Sequence, residues 1–194
     1  MVLDRRSVRR FLPDPVPPAV VADVLRLAVW APSPHNVQPW RFTVLSRPAD
    51  RERLATAMAG RLAEVLKNDG VAADLIEQQT ERSIVRINNA PVVILCSLVA
   101  DGLVSYADGE RRTLEWQMAV QSVGAVMQTI FLLAWTRDLG TCWMAAPMYC
   151  PDVVRDCLNL PSSYEPQALT LMGYPAAPGK VRPRRSPDAV VDMR

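Results

Sequence analysis

The feature that most constrains the fold is a stretch without a single charged residue, residues 116–136. As an α-helix rising about 1.5 Å per residue, this stretch is long enough to cross a bilayer. Gln117, Gln121 and Gln128 fall on one helical face, however, and make a polar seam that lipid would not tolerate. The pattern therefore predicts a helix buried in protein. So apolar a helix also leaves one side for a subunit interface.

Hydrophobic periodicity and turn residues predict further elements around this helix. The other predicted helices are residues 17–30, 49–68, 71–87 and 151–158. The predicted strands are residues 41–45, 91–99, 141–144 and 167–173, with a polar loop at 101–110. The continuous apolar run at 91–99 is expected to be buried on both faces of a sheet. Because helices and strands do not alternate strictly and no interior linker is visible, we predict one α+β domain, residues 1–194.

Composition excludes several kinds of protein. The net charge of +2 gives no field for nucleic acid or a membrane surface, and neither partner is expected. The four cysteines lack CxxC spacing and His35 is the single histidine, so no metal site is expected. A Ser-His-Asp mechanism would have to use His35 alone. This favours a bound cofactor, or binding without catalysis, over chemistry by side chains.

The two ends of the chain carry information about location and partners. The start has no signal-peptide pattern, because basic residues run directly into proline-rich sequence. With the unpaired cysteines, this predicts a cytoplasmic protein. Seventeen prolines against eight glycines indicate rigid turns. The last proline cluster opens an extended arm, about residues 175–194, which we expect to be fixed by wrapping a partner subunit.

Three arginines and a serine stand together near the start, at Arg5, Arg6, Ser7 and Arg9. Guanidinium forks bind phosphate oxygens through paired, charge-assisted hydrogen bonds, and a serine hydroxyl adds a neutral one. Taken alone, the group fits a solvated basic tail equally well. It is a candidate anion site whose role depends on the residues that accompany it.

A second polar group lies in a proline-rich loop, residues 31–40. It presents Ser33, His35, Asn36 and Gln38 on a stiff backbone. Preorganised amides offer a donor and an acceptor side by side, which suits the edge of a flat heteroaromatic ring. Polar residues in such a loop also commonly satisfy only their own turn. The loop by itself leaves both interpretations open.

Arg-Arg-Ser-x-Arg, followed further along by Pro-Ser-x-x-Asn-x-Gln-Pro-Trp, resembles the FMN-dependent nitroreductase family. The resemblance covers almost the whole chain. The glutamine-bearing helix and the motifs at 139–143, 154–155, 165–166 and 173–174 look most like one branch of it. That branch is the flavin-binding C-terminal domain of deazaflavin-coenzyme γ-glutamyl ligases. This sequence contains no ligase domain, so ligation is not implied.

The resemblance implies a nitroreductase-like α+β fold, with a mostly antiparallel sheet flanked by helices. It also implies an intertwined homodimer with FMN at the subunit interface. Arg5, Arg6 and Ser7 would hold the ribityl phosphate. Arg9 would lie on the pyrimidine side of the flavin ring.

The resemblance assigns further residues to the same site. A second subunit would contribute Pro32, Ser33, His35 and Asn36 along the opposite edge of the ring. Backbone groups of three consecutive residues, Met144, Ala145 and Ala146, would face flavin N5. Arg182 and Arg184 are candidates to complete the phosphate site, although their spacing departs from the family's usual pattern.

The activity that the resemblance implies needs no catalytic side chain, since the chemistry takes place at flavin N5. Hydride would pass from NADH or NADPH to FMN, and then to a conjugated small-molecule acceptor such as a nitroaromatic or a quinone. Two alternatives stay open. One is reduction of a dehydro precursor in deazaflavin-coenzyme maturation. The other is a non-catalytic protein that binds FMN or a deazaflavin.

Overall fold

The computed structural model describes residues 2–194, so Met1, the first residue of the predicted domain, lies outside the described residues. Residues 2–194 form five α-helices, four strands and three short 3-10 turns. The helices are α1 (Pro18–Ala28), α2 (Pro48–Asn68), α3 (Ala73–Asn88), α4 (Gly109–Trp135) and α5 (Pro151–Leu158). The strands are β1 (Trp40–Leu45), β2 (Val92–Val99), β3 (Gly140–Met144) and β4 (Tyr164–Gly173). The 3-10 turns are Pro34–Asn36, Ala146–Tyr149 and Pro187–Ala189.

The strands form one antiparallel sheet in the order β1-β2-β4-β3. Every residue of β2 is buried, and its side chains alternate between the two faces of the sheet. Ile94 and Leu98 pack toward α1 and α4, whereas Val93 and Leu95 pack toward α2, α3 and α5. Each such side chain contributes roughly 1.5–3 kcal/mol through burial. The predicted α+β class and the doubly buried strand are confirmed.

The central helix begins earlier than predicted, at Gly109 instead of Trp116. Asp108 caps it, because its carboxylate accepts a hydrogen bond from the Arg111 N–H at 2.8 Å. The predicted polar loop therefore ends at this cap. The start of the helix was predicted too late because its first turn, residues 109–113, is charged and lacks the apolar pattern of the rest.

The helix α4 is long and apolar enough to cross a membrane. Length and composition do not decide this, because the core helix of a folded domain has the same features. One side of α4 is buried in this fold. The residues of that side are Glu115, Ala119, Ser122, Val123, Val126, Met127, Ile130, Phe131 and Ala134. The predicted seam of Gln117, Gln121 and Gln128 lies on the exposed side, next to exposed Trp116 and Val120. In the single chain, α4 is a core helix with one uncovered face.

The strand β4 begins at Tyr164, not at Gln167 as predicted. Pro166 lies inside it, opposite Ser97, where the register of the β2–β4 pair shifts by a bulge. β3 pairs with β4 only from Leu169 onward, so the strand around Pro166 has a partner on one side only. A proline without an N–H is tolerated there, which is why it does not end the strand.

Arg51 is a buried arginine that holds the connection between the sheet and α2. Its Nη1 donates to the carbonyl oxygens of Ser46 and Pro91. Arg51→Met keeps the apolar stem but removes the donor, so it should lower the free energy of unfolding by about 1–3 kcal/mol. Urea unfolding measures this loss. Arg53→Met, at an exposed position on the same helix, is the control; an equal loss there would assign the effect to α2 itself.

Candidate functional site

The basic segment at the start of the chain is docked on the outer edge of β3. The N–H of Val8 donates to the carbonyl oxygen of Thr141 at 2.9 Å, and Ser7 pairs with Thr141 in parallel. The Val8 side chain is buried against Gly140. Neighbours of a buried residue in an extended segment point away from it. Ser7 and Arg9 are accordingly exposed.

The chain beyond β4 folds back on this segment. Leu12 N–H donates to Tyr174 O at 2.8 Å, and Ala176 N–H donates to Arg10 O at 3.0 Å. A side chain at Gly179 would overlap Arg6, so the two segments are in close contact there. Between them lies a cavity of about 330 Å³. Its lining is Ser7, Val8, Arg9, Arg10, Ala177, Pro178, Gly179 and Lys180.

A second cavity, of about 480 Å³, continues from the first along α3. The two share Arg9 and Arg10. The lining of the second is Arg9, Arg10, Glu81, Arg82, Val85, Arg86 and Asn89. Sequence reasoning missed Arg82, Arg86 and Lys180. The sequence feature that could have revealed Arg82 and Arg86 is their spacing of four residues, which puts them on one helical face just before the buried strand β2.

These cations have no carboxylate partner. Within residues 2–194, Arg9, Arg82, Arg86 and Lys180 form no ion pair, although other arginines of the chain do. We call these four residues the cationic cluster. The second cavity has four arginines in its lining against one carboxylate, Glu81, and an excess of like charge around one cavity favours an anion between them. The cluster is therefore suited to a phosphate-bearing ligand.

Other predicted phosphate ligands are placed differently. Arg6 Nη1 donates to the carbonyl oxygens of Leu3 and Arg5, so its guanidinium folds back on its own segment. Arg182 and Arg184 are exposed, and Arg184 Nη1 donates to Arg182 O at 3.1 Å. Neither lines the cavities, whereas Lys180 does. The assignment of Arg5, Arg6, Arg182 and Arg184 to phosphate stays a prediction.

The strand β3 lies beside the N-terminal segment that carries Arg9. Cys142 on this strand is buried, which raises the pKa of its thiol, and the charges of Arg9 and Arg86 lower that pKa in turn. Met144 is buried, while Ala145 is exposed and Ala146 begins the next turn. The segment predicted to face flavin N5 follows directly from the strand that holds Ser7.

The loop before β1 has an unusual backbone. His35, Asn36 and Gln38 have φ values of 51°, 55° and 50°, a left-handed region that non-glycine residues seldom enter. Ser33 Oγ accepts from the Gln38 N–H at 3.0 Å and stabilises this turn. His35 and Asn36 point outward from it and are exposed, as is Pro32. Such strain is typical of segments that present side chains to a ligand.

The two predicted halves of the site are far apart in one chain. The loop leads into β1 at one edge of the sheet, and Ser7 and Arg9 lie beyond β3 at the other. Four strand spacings separate them, about 19 Å in all. One flavin ring cannot contact Arg9 and His35 of the same chain across the sheet.

Comparison with known proteins agrees with this fold. The family model described as "Nitroreductase family" matches residues 2–174. A protein of Thermus thermophilus named NADH dehydrogenase is 30% identical over 91% of this chain and 86% of its own length. A BluB-like flavoprotein from Clostridium difficile superimposes with a TM-score of 0.81 at 22% identity, covering 100% of this chain and 96% of its own.

An FMN-dependent nitroreductase from Mycobacterium smegmatis, solved in complex with NADPH, has a TM-score of 0.75 at 23% identity. It covers 100% of this chain, and this chain covers 96% of it. At such identities the two solved structures bear on the fold alone. The family match and the Thermus relative extend over most of the sequence, and the chain belongs to the nitroreductase family.

Proposed function

We propose that this protein is an FMN-dependent oxidoreductase that uses NADH or NADPH to reduce a conjugated acceptor, such as a nitroaromatic or a quinone. The family and the name of the Thermus relative support an oxidoreductase. The FMN and NADPH of the Mycobacterium protein support the cofactor and the donor. The observation that carries the proposal is the cationic cluster around the two cavities beside the N-terminal segment, which forms no ion pair within residues 2–194.

The residues around β3 fit FMN. The Ser7 hydroxyl and the Lys180 ammonium line one cavity and would bind the phosphate together with Arg5 and Arg6. Thr141, which pairs with Ser7, carries a buried hydroxyl without a hydrogen-bond partner in the described structure. Thr141 lines neither cavity, so its part is to position Ser7 through the backbone.

FMN supplies the redox chemistry when bound, taking a hydride from the nicotinamide and passing two electrons and a proton to the acceptor. Arg9 and Arg86 line one cavity and, with the ring bound beside them, would stabilise the negative charge of the reduced form. The backbone of Met144, Ala145 and Ala146 would form the wall on the N5 side. Alanine at the last two positions leaves room for close approach.

We propose a homodimer in which each site uses both chains. The separation of the two halves across the sheet supports this, as does the uncovered face of α4 with Leu114, Trp116 and Val120. Residues 181–194 are exposed along their whole length and lie outside the family match. They are the part of the single domain that would wrap a second copy.

Two finer assignments belong to the same proposal. The resemblance of residues 139–143 to the deazaflavin-ligase domain supports a dehydro precursor of the deazaflavin coenzyme as a more specific acceptor. The four cysteines are free thiols, which supports a cytoplasmic location. A non-catalytic flavin-binding protein is the alternative from another class. Anaerobic reduction of bound FMN by NADH or NADPH would exclude it.

FMN titration tests the assignment of the phosphate. Arg5→Ala, Ser7→Ala and Lys180→Ala should each weaken FMN binding by about 1–3 kcal/mol, because each loses a hydrogen bond to a charged group. Quenching of flavin fluorescence measures the dissociation constant. Lys67→Ala, at an exposed lysine near the end of α2, is the control and should bind FMN like wild type. Unchanged affinity in all three variants would place the phosphate elsewhere.

A further inference from the structure

An apolar cavity lies between α2, α3 and the turn that follows β3. Its volume is about 190 Å³. Its lining is Met58, Arg61, Leu62, Val65, Ser83, Ala146, Tyr149 and Cys150. Ala146 belongs to the wall assigned to flavin N5, so the cavity adjoins the proposed reaction centre. Tyr149 is 83% exposed and marks the solvent side of the cavity.

The size of the cavity restricts what it can hold. An apolar protein cavity of about 150 Å³ takes one benzene molecule. A cavity slightly larger than this accommodates one substituted benzene ring. The three fused rings of a flavin need more space than this cavity offers within one chain, and its lining shares no residue with the two cavities beside Ser7 and Arg9. It is a separate space beside the N5 wall.

The charge at the cavity rim is equally informative, because Arg61 is the single cationic residue of the lining. Its Nη1 and Nη2 donate to the two carboxylate oxygens of Asp152 at 3.2 and 2.7 Å, and its Nε lies 3.3 Å from Glu64. The bonds to Asp152 raise the pKa of Arg61 and lower that of Asp152, so both stay charged. The two carboxylates and the one guanidinium together give the cavity rim a net negative charge.

The remaining polar groups of the lining do not attract an anion. Burial raises the pKa of the Cys150 thiol, which keeps it neutral. Ser83 offers a neutral hydroxyl. A ligand carboxylate would lose its hydration here without gaining a free cation, which is unfavourable.

We propose that this cavity binds the aromatic ring of an uncharged, monocyclic electron acceptor and disfavours an acceptor that carries a carboxylate. The inference rests on the proposed function, since Ala146 is next to the reacting ring only if FMN binds along β3. It narrows the acceptor class from conjugated molecules in general to small neutral ones. Asp152 then sets specificity indirectly, by occupying Arg61.

Two probes that cannot be reduced test the charge argument, benzamide for the neutral ligand and benzoate for the anion. Calorimetric titration of the FMN-loaded protein should show saturable benzamide binding and at least about tenfold weaker benzoate binding. Asp152→Asn leaves Arg61 with the Glu64 carboxylate as its one charged partner, so its Nη1 and Nη2 can donate to a ligand. Benzoate should then bind more tightly while benzamide changes little. Asp156→Asn, at an exposed position on the same helix, is the matched control. Equal behaviour of the two variants would overturn the proposal.

A second pair of variants tests the location. Ser83→Leu fills the cavity and should abolish benzamide binding, whereas Gln79→Leu, exposed on the same helix, should not. Unchanged benzamide binding by Ser83→Leu would refute the site. The reduction of FMN by NADH or NADPH is measured separately on every variant. If the chain takes up no FMN, the proposed function fails, and the titration of the flavin-free protein still decides whether the cavity prefers benzamide.

Discussion

Gly140→Val is expected to lower the free energy of unfolding by about 3 kcal/mol, the upper end of overpacking, and to abolish stable FMN binding. Gly140 opens β3 and faces the buried side chain of Val8. A Cβ at this position would lie 2.6–2.8 Å from three Val8 carbons. Carbon atoms pack at about 3.5–4.0 Å, so Val8 must move. Ser7 and Arg9, the neighbours of Val8 in the chain, would then lose their positions beside β3.

Urea unfolding and the FMN content after gel filtration measure the two effects. Gly60→Ala is the matched control, because a Cβ at that position in α2 meets nothing within 4 Å. This change should stabilise the protein by up to about 1 kcal/mol and leave the FMN content unchanged.

A compensating variant separates loss of docking from general unfolding. Gly140→Ala combined with Val8→Gly removes all three Val8 carbons that the new Cβ would meet. It should retain more FMN than Gly140→Ala alone. Full FMN content in Gly140→Val, by contrast, would mean that the flavin does not need the segment docked on β3.

The sequence predicted most of the sheet because its core strands carry a clear pattern. The apolar run of β2 has no other role than burial on both faces. The starts of α4 and β4 were misplaced for physical reasons. The cap at Asp108 precedes a charged turn that resembles a loop, and Pro166 is tolerated because a bulge and an unpaired side accommodate it. Local pattern does not contain that tertiary context.

The candidate site was predicted in part. The motif around Ser7 and Arg9 lies on a segment that lines both cavities, but Arg82 and Arg86 look like the solvated face of an ordinary helix. They become part of a site only because the first segment docks beside α3. The strained backbone of the loop could not be predicted either, because His35 and Gln38 have positive φ values without being glycines. In the proposed homodimer its function depends on a partner chain, about which one sequence gives only indirect information.

A mixed dimer is expected to recover FMN that neither parent variant can hold. One parent carries Ser7→Asp, whose carboxylate repels the phosphate. The other carries His35→Ala with Asn36→Ala, which removes the loop's contacts with the ring. Each change should weaken FMN binding at least about tenfold. This is the usual effect of losing one hydrogen bond to a charged group. Each parent homodimer carries the same defect in both sites.

Co-expression with two different tags, followed by two affinity steps, isolates the mixed dimer. If each site takes Ser7 from one chain and the loop from the other, one of its two sites combines unaltered halves. The mixed dimer should then hold about one FMN per two chains, half the wild-type content. If both halves of a site belonged to one chain, every site would carry one defect and no FMN would return. A doubly tagged species without flavin would therefore place the whole site within a single chain, and failure to isolate any would contradict the homodimer.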